Sequence, residues 1–150
     1  ARAVSRLGEI LFHGVALRPG MPTLAGRVGE ALVIGLPGSP AAAFVSFKLF
    51  VEEAVREAMG IGEPYPPPLP GKLAEKVDST PGFLDIVRVR VEGGSVMPVR
   101  RRGSTLLSSI SRSHGVVGIP EDFEGLKEGV PVRVYAHWAP WRGILEGEIP

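Results

Sequence analysis

The chain has no cysteine among its 150 residues. That excludes disulfides, thiolate metal sites and cysteine nucleophiles, and it is compatible with a reducing cytoplasm, the expected location. It also lacks a surplus of either charge: 17 basic against 16 acidic residues leave a net charge of +1. A general polyanion binder needs a basic excess, so nucleic acid is not an expected partner. No apolar run is long enough to span a bilayer and no signal peptide opens the chain, so no membrane association is expected. An initiator methionine is missing too. The start Ala1-Arg2-Ala3 reads as that of a piece of something longer. Hydrophobic residues reach 44%, enough for a packed core.

Proline and glycine are plentiful instead, and they punctuate the chain. Residues 62–71 read GEPYPPPLPG, with five prolines in ten residues. Such a segment favours extended polyproline geometry and reads as an inter-domain linker. The expected division is therefore an α/β section over 1–61, the linker over 62–71, a small all-β barrel or sandwich over 72–136, and a patternless tail over 137–150 that holds both tryptophans.

Upstream, Val4 to Leu7 looks like a helix end stopped at Gly8, and Glu9 to Leu17 reads as a strand. Arg18 to Gly29 reads as a loop. Ala31 to Leu36 is almost wholly apolar, as expected of a strand buried on both faces. Residues 41–59 predict a helix with Phe44, Phe47, Val51, Ala54, Val55 and Ala58 on its core face. Glu52, Glu53, Arg56 and Glu57 mark the wet side, with Glu52 and Arg56 as an i,i+4 pair. Two strands and one long helix cannot cover both faces of a buried sheet. This reads as the last section of an α/β domain rather than a whole one. Downstream, Leu73–Val77, Asp85–Val91, Val96–Arg100, Val116–Ile119 and Val130–Tyr135 read as short strands. Glu92-Gly93-Gly94-Ser95 supplies a hairpin turn between two of them.

Between the apolar strand and the helix stands Gly35-Leu36-Pro37-Gly38-Ser39-Pro40. Helix N-termini offer unpaired N–H groups and partial positive charge, and open α/β sheets bind ligands beyond their strand ends. Ser39 is a natural N-cap and Pro40 a natural first helical residue. By itself this pattern serves equally well as a capped junction without a ligand.

The order of segments narrows the choice. Leu17-Arg18-Pro19-Gly20-Met21-Pro22, the apolar strand, Gly-Leu-Pro-Gly-Ser-Pro and Phe44-Val45-Ser46-Phe47 together resemble the molybdopterin molybdenumtransferase family, MoeA of bacteria and archaea and the E domain of gephyrin. Gly103-Ser104-Thr105-Leu106-Leu107-Ser108-Ser109 is similar to that family's C-terminal barrel motif, and the segments His114–Pro120 and Gly129–Val134 to its closing strands. The resemblance implies the C-terminal section of a MogA-like molybdopterin-binding α/β domain followed by a small β-barrel. It implies an enzyme that inserts molybdate, or tungstate, into adenylylated molybdopterin with release of AMP. It also implies a homodimer and Mg²⁺, whose ligands would lie upstream of Ala1; no metal site is expected in this chain. Substrate-binding residues carried over are Arg18, Pro37, Gly38, Ser39, Pro40, Arg88 and Ser104, with no catalytic residue assigned.

The departures matter as well. Arg18 stands for a lysine and keeps the charge. Met21 replaces a second lysine and loses one, which leaves a non-catalytic ligand-binding or scaffold paralogue as the alternative. Taken without the resemblance, Arg88 is a barrel-surface residue, and Arg100-Arg101-Arg102 is a solvated loop rather than an anion guide. His13 reads as structural, and His114 is left between reaching the cleft and capping a turn.

Overall fold

The computed structural model describes residues 1–62, 66–99 and 110–145. A one-turn helix, α1 (Val4–Leu7), ends at Gly8 as expected. An antiparallel sheet follows, with β3 (Leu24–Val28) between β1 (Glu9–His13) and β4 (Ala31–Gly35). β3 falls inside the segment expected to be a loop. Gly26 and Arg27 hide its alternation, and Gly26 is required there because Val4 of α1 packs directly above it. The expected strand from Glu9 to Leu17 breaks at Gly14, whose φ of 97° no strand residue adopts. It resumes as the two-residue β2 (Leu17–Arg18), which leaves this sheet altogether.

β4 is not buried on both faces. Among the described residues its only strand neighbour is β3, and Leu32 is 56% exposed. Its apolar side chains Leu32 and Ile34, with Leu36 beyond it, instead line a groove of about 450 Å³ against Phe47 and Val55 of the following helix.

That helix runs from Pro40 to Ala58 in three pieces: α2 (Pro40–Ser46), a π-helical turn (Phe47–Val51) and α3 (Glu52–Ala58). The wider π turn shifts the face presented by everything after it. Val55, expected in the core, is 49% exposed after the turn, while Glu52 and Glu53 are half-buried; Phe47, where the turn begins, is 45% exposed as well. Glu52 pairs with buried Lys48 one turn before it.

The downstream part closes into a barrel of five strands: β5 (Leu69–Leu73), β7 (Leu84–Glu92), β8 (Ser95–Pro98), β9 (Gly115–Ile119) and β11 (Pro131–Ala136). The order is β7-β8-β5-β11-β9, and β9 pairs back onto β7. The fold is thus an α/β section followed by a small β-barrel, as the sequence implies. Gly93 and Gly94, at φ 56° and 82°, form the β7–β8 turn that only such conformations close without splaying the strands. The strand expected over Leu73–Val77 is displaced. β5 begins earlier, inside the proline-rich segment, and β6 (Val77–Asp78) pairs separately with β10 (Gly125–Leu126). β2 adds to the outside of the barrel, parallel to β7.

Two cores result. One fills the barrel with Leu73, Val89, Val96, Val117, Ile119, Val132 and Val134. The other joins Leu17, Val45 and Leu49 from upstream to Ile86, Val116 and Tyr135 on the barrel's outer face. The tail, patternless in sequence, completes this second core with Trp141, which is fully buried, and with Ile144 on α4 (Arg142–Leu145). Among the described residues no helix is long and apolar enough to cross a membrane.

Candidate functional site

Parallel pairing of β2 with β7 sets Leu17 beside Leu84 and Arg18 beside Asp85. The guanidinium of Arg18 donates from Nε to Asp85 Oδ1 at 2.8 Å and from Nη2 to Oδ2 at 2.5 Å. Its Nη1 donates to Thr80 Oγ1 at 3.0 Å, and Phe83 stacks beneath it at 5.2 Å. Ser79 donates a further hydrogen bond to Asp85 Oδ2 at 2.5 Å. Burial alone would push the Asp85 carboxyl up. The hydrogen bonds from Arg18 and Ser79 outweigh that and hold it below its ordinary 3.8.

A depressed carboxylate stabilises the fold at pH values above its unfolded pKa, and that contribution disappears as pH falls through the folded value. Asp85→Asn is therefore expected to cost about 1 kcal/mol at neutral pH, the modest figure proper to a partly exposed pair. Urea unfolding at stepped pH should show the gap to wild type constant above pH 5 and closing below 3.8. A gap that persists at acid pH would remove the ion pair as its cause.

Arg18 and Asp85 form one end of a cavity of about 640 Å³ that also takes in Pro19, Arg88, Pro98 and Val99. Arg88 comes from β7, three residues beyond Asp85, and is only 8% exposed. Two of the expected site residues, Arg18 and Arg88, thus line one cavity although 70 positions separate them in sequence. Both Asp85 oxygens already engage Arg18, so its role in this structure is to lock the Pro19–Gly20 loop to the barrel. Lys76, at the far end, pairs with Asp78 at 2.6 Å.

The expected turn residues Pro37, Gly38, Ser39 and Pro40 do not line this cavity. Pro37 is buried, while Gly38 faces open space. Ser39 occupies the N-cap position and Pro40 the first helical one, but the Ser39 hydroxyl makes no capping bond. The first bond of the helix is the Ala43 N–H donating to the Ser39 carbonyl at 2.8 Å. Ser104, with its motif, and Arg100–Arg102 lie outside the described residues.

Behind the cavity wall sits a cluster that no sequence pattern announces. His137 lies edge-on to Phe44 at 5.5 Å and 2.7 Å from Ser113 Oγ. The Ser113 hydroxyl donates to the Ile110 carbonyl, so the histidine nitrogen Nε2 carries the proton shared with it. Burial lowers the His137 pKa, and the charges of Lys48, Arg88 and His114 lower it further. Lys48 lies 5.6 Å from the Trp141 ring centre. Burial also raises the pKa of Glu53 on the next turn. His114 does neither of the things expected of it: its Nδ1 accepts the N–H of Val91 within strand β7 at 3.0 Å, and it does not line the cavity. Among the described residues no group of three histidine or acidic side chains could hold a metal ion.

Comparison with known proteins divides the chain in two. Residues 1–57 match a family described as a probable molybdopterin binding domain, and residues 70–136 match the MoeA C-terminal region, domain IV. A putative molybdopterin biosynthesis protein of Methanocaldococcus jannaschii is 36% identical over 88% of this chain and 31% of its own length. A molybdopterin molybdenumtransferase of Mycobacterium tuberculosis is 32% identical over 83% of the chain and 31% of its own. Among solved structures, a molybdopterin biosynthesis MoeA protein from Pyrococcus horikoshii superposes with a TM-score of 0.80 at 32% identity, covering 91% of this chain and 34% of that one. The chain spans about a third of the length of the curated relatives it matches.

Proposed function

Because this chain belongs to the MoeA family of molybdopterin biosynthesis proteins, we propose that it is the pterin- and oxyanion-holding C-terminal part of a molybdopterin molybdenumtransferase. The reaction is insertion of molybdate, or tungstate, into adenylylated molybdopterin with release of AMP. One observation carries this reading. The two family matches are joined at a cavity where Arg18 and Pro19 of the first meet Arg88 of the second. The buried Arg88 guanidinium offers an oxyanion held there a charge-assisted hydrogen bond.

In this proposal Arg88 faces the oxyanion, the Arg18 loop forms the opposite wall, and the Pro37–Pro40 turn holds the pterin or phosphate end. The proline-rich segment links the two parts, its last residues already in β5. The protein works as a cytoplasmic homodimer, and turnover belongs to the protein that carries the remaining two thirds of its relatives' length. Mg²⁺ finds no ligand set among the described residues. The non-catalytic alternative is not favoured, since relatives are named as transferases.

Titration of the chain with sodium molybdate tests the assignment. Arg88→Ala is expected to weaken binding by at least about tenfold, the loss of one charge-assisted pair. Undiminished affinity would move the oxyanion elsewhere.

A further inference from the structure

Two buried hydroxyls join the halves of this proposed site. Thr23 and Ser46 are each 0% exposed. Thr23 closes the loop that begins at Arg18; Ser46 sits on α2, the helix that starts at the Pro37–Pro40 turn. Thr23 Oγ1 donates to the Gly20 carbonyl at 2.6 Å and lies 2.7 Å from Ser46 Oγ. A threonine hydroxyl has one proton, already given to Gly20, so Ser46 is the donor in that pair. The Thr23 amide donates to the same Gly20 carbonyl at 3.0 Å.

Gly20 itself has φ 141°, and a Cβ there would stand 2.6 Å from Leu17 Cδ2 and 3.0 Å from Ser46 Oγ. Only glycine lets the loop rest on the helix at this point. Gly14 N–H to the Thr23 carbonyl at 2.8 Å and Val15 N–H to the Met21 carbonyl at 2.9 Å tie the loop's two limbs together. If the loop moves away, the buried Ser46 hydroxyl loses Thr23 Oγ1 as the acceptor of its proton, which is costly in an interior that excludes water.

We propose that Thr23 and Ser46 are positioning residues, fixing the spacing between the Arg18–Pro19 wall of the cavity and the helix that carries the Pro37–Pro40 turn. The pair touches no substrate; it makes loop and helix one rigid body. The proposal rests on the reading of the cavity as an oxyanion site, and the experiment separates the two.

Four variants of the full chain serve: Thr23→Val keeps shape and loses the hydroxyl, Thr23→Ser keeps the hydroxyl and loses a methyl, Ser46→Ala removes one oxygen, and Thr23→Val with Ser46→Ala removes both. Molybdate affinity is expected to fall about tenfold in Thr23→Val and in Ser46→Ala, no further in the double variant, and to be retained in Thr23→Ser. Amide exchange at Val15 and Thr23 is expected to quicken about tenfold in Thr23→Val, in Ser46→Ala and in the double variant but not in Thr23→Ser, with the barrel strands unchanged. A Thr23→Ser that behaves like Thr23→Val would show packing, not hydrogen bonding, and would overturn the proposal. Unchanged loop exchange in Ser46→Ala would overturn it too, and that variant carries both measurements if Thr23→Val does not fold. Should the wild-type chain bind no molybdate, the oxyanion reading fails while loop exchange still decides the hydroxyl pair.

Discussion

Trp141→Ala is expected to lower folding stability by about 3–5 kcal/mol, the range for emptying a large aromatic site in a packed core. The indole is fully buried and donates its N–H to the Ala136 carbonyl at 3.0 Å. Phe44 meets it edge-on at 5.6 Å and 87°. Its neighbours come from both parts of the chain: Leu17, Val45 and Leu49 on one side, Ile86, Val116 and Tyr135 on the other. Removing the ring therefore opens a cavity between the α2 helix and the barrel wall and leaves the Ala136 carbonyl without its indole donor. Trp138, 77% exposed and three residues earlier, is the internal control and should change stability by less than about 0.5 kcal/mol. Urea unfolding of both variants makes the comparison. A Trp141→Ala cost below about 1 kcal/mol would mean that the tail is not part of the core.

The difference between those two tryptophans shows what the sequence conceals. The barrel is legible because its strands alternate on a period of two and its hairpin carries Gly93-Gly94, signals contained within a few residues. The helix is legible in extent but not in face. A single π turn at Phe47–Val51 re-phases it, and no residue type marks where the extra residue enters. Arg18 draws its meaning from Asp85, 67 positions away, and a two-residue strand like β2 has no periodicity to read. Trp141 is buried singly, inside a tail with no repeating pattern. Of the candidate site, the resemblance named Arg18 and Arg88, and both reach the cavity. The Pro37–Pro40 turn was legible as a helix start, yet its distance from that cavity depends on how the loop rests on α2. The Thr23–Ser46 contact governs this and spans 23 positions.

Ile119→Ala is expected to cost about 2–5 kcal/mol and to do so within one cooperative transition. Ile119 is 1% exposed and belongs to the barrel core. Its strand also serves the second core: Val116 of β9 points there, while Val117 and Ile119 point into the barrel. β7 divides in the same way, Ile86 outward and Val89 inward, and β11 sends Tyr135 outward and Val134 inward. The strand period of two thus makes the barrel wall a single layer with a core on each side. Opening the inner core loosens the strands on which Leu17, Val45 and Trp141 pack. Loss of far-UV dichroism and the change in Trp141 fluorescence should therefore share one midpoint in wild type, and both should shift together in Ile119→Ala. Measured in a Trp138→Phe background, the fluorescence reports the second core alone. A Trp141 transition that stays put while the barrel melts earlier would show two independent cores. In that case the cavity at their junction would lose the shared wall that sets Arg88 opposite Pro19.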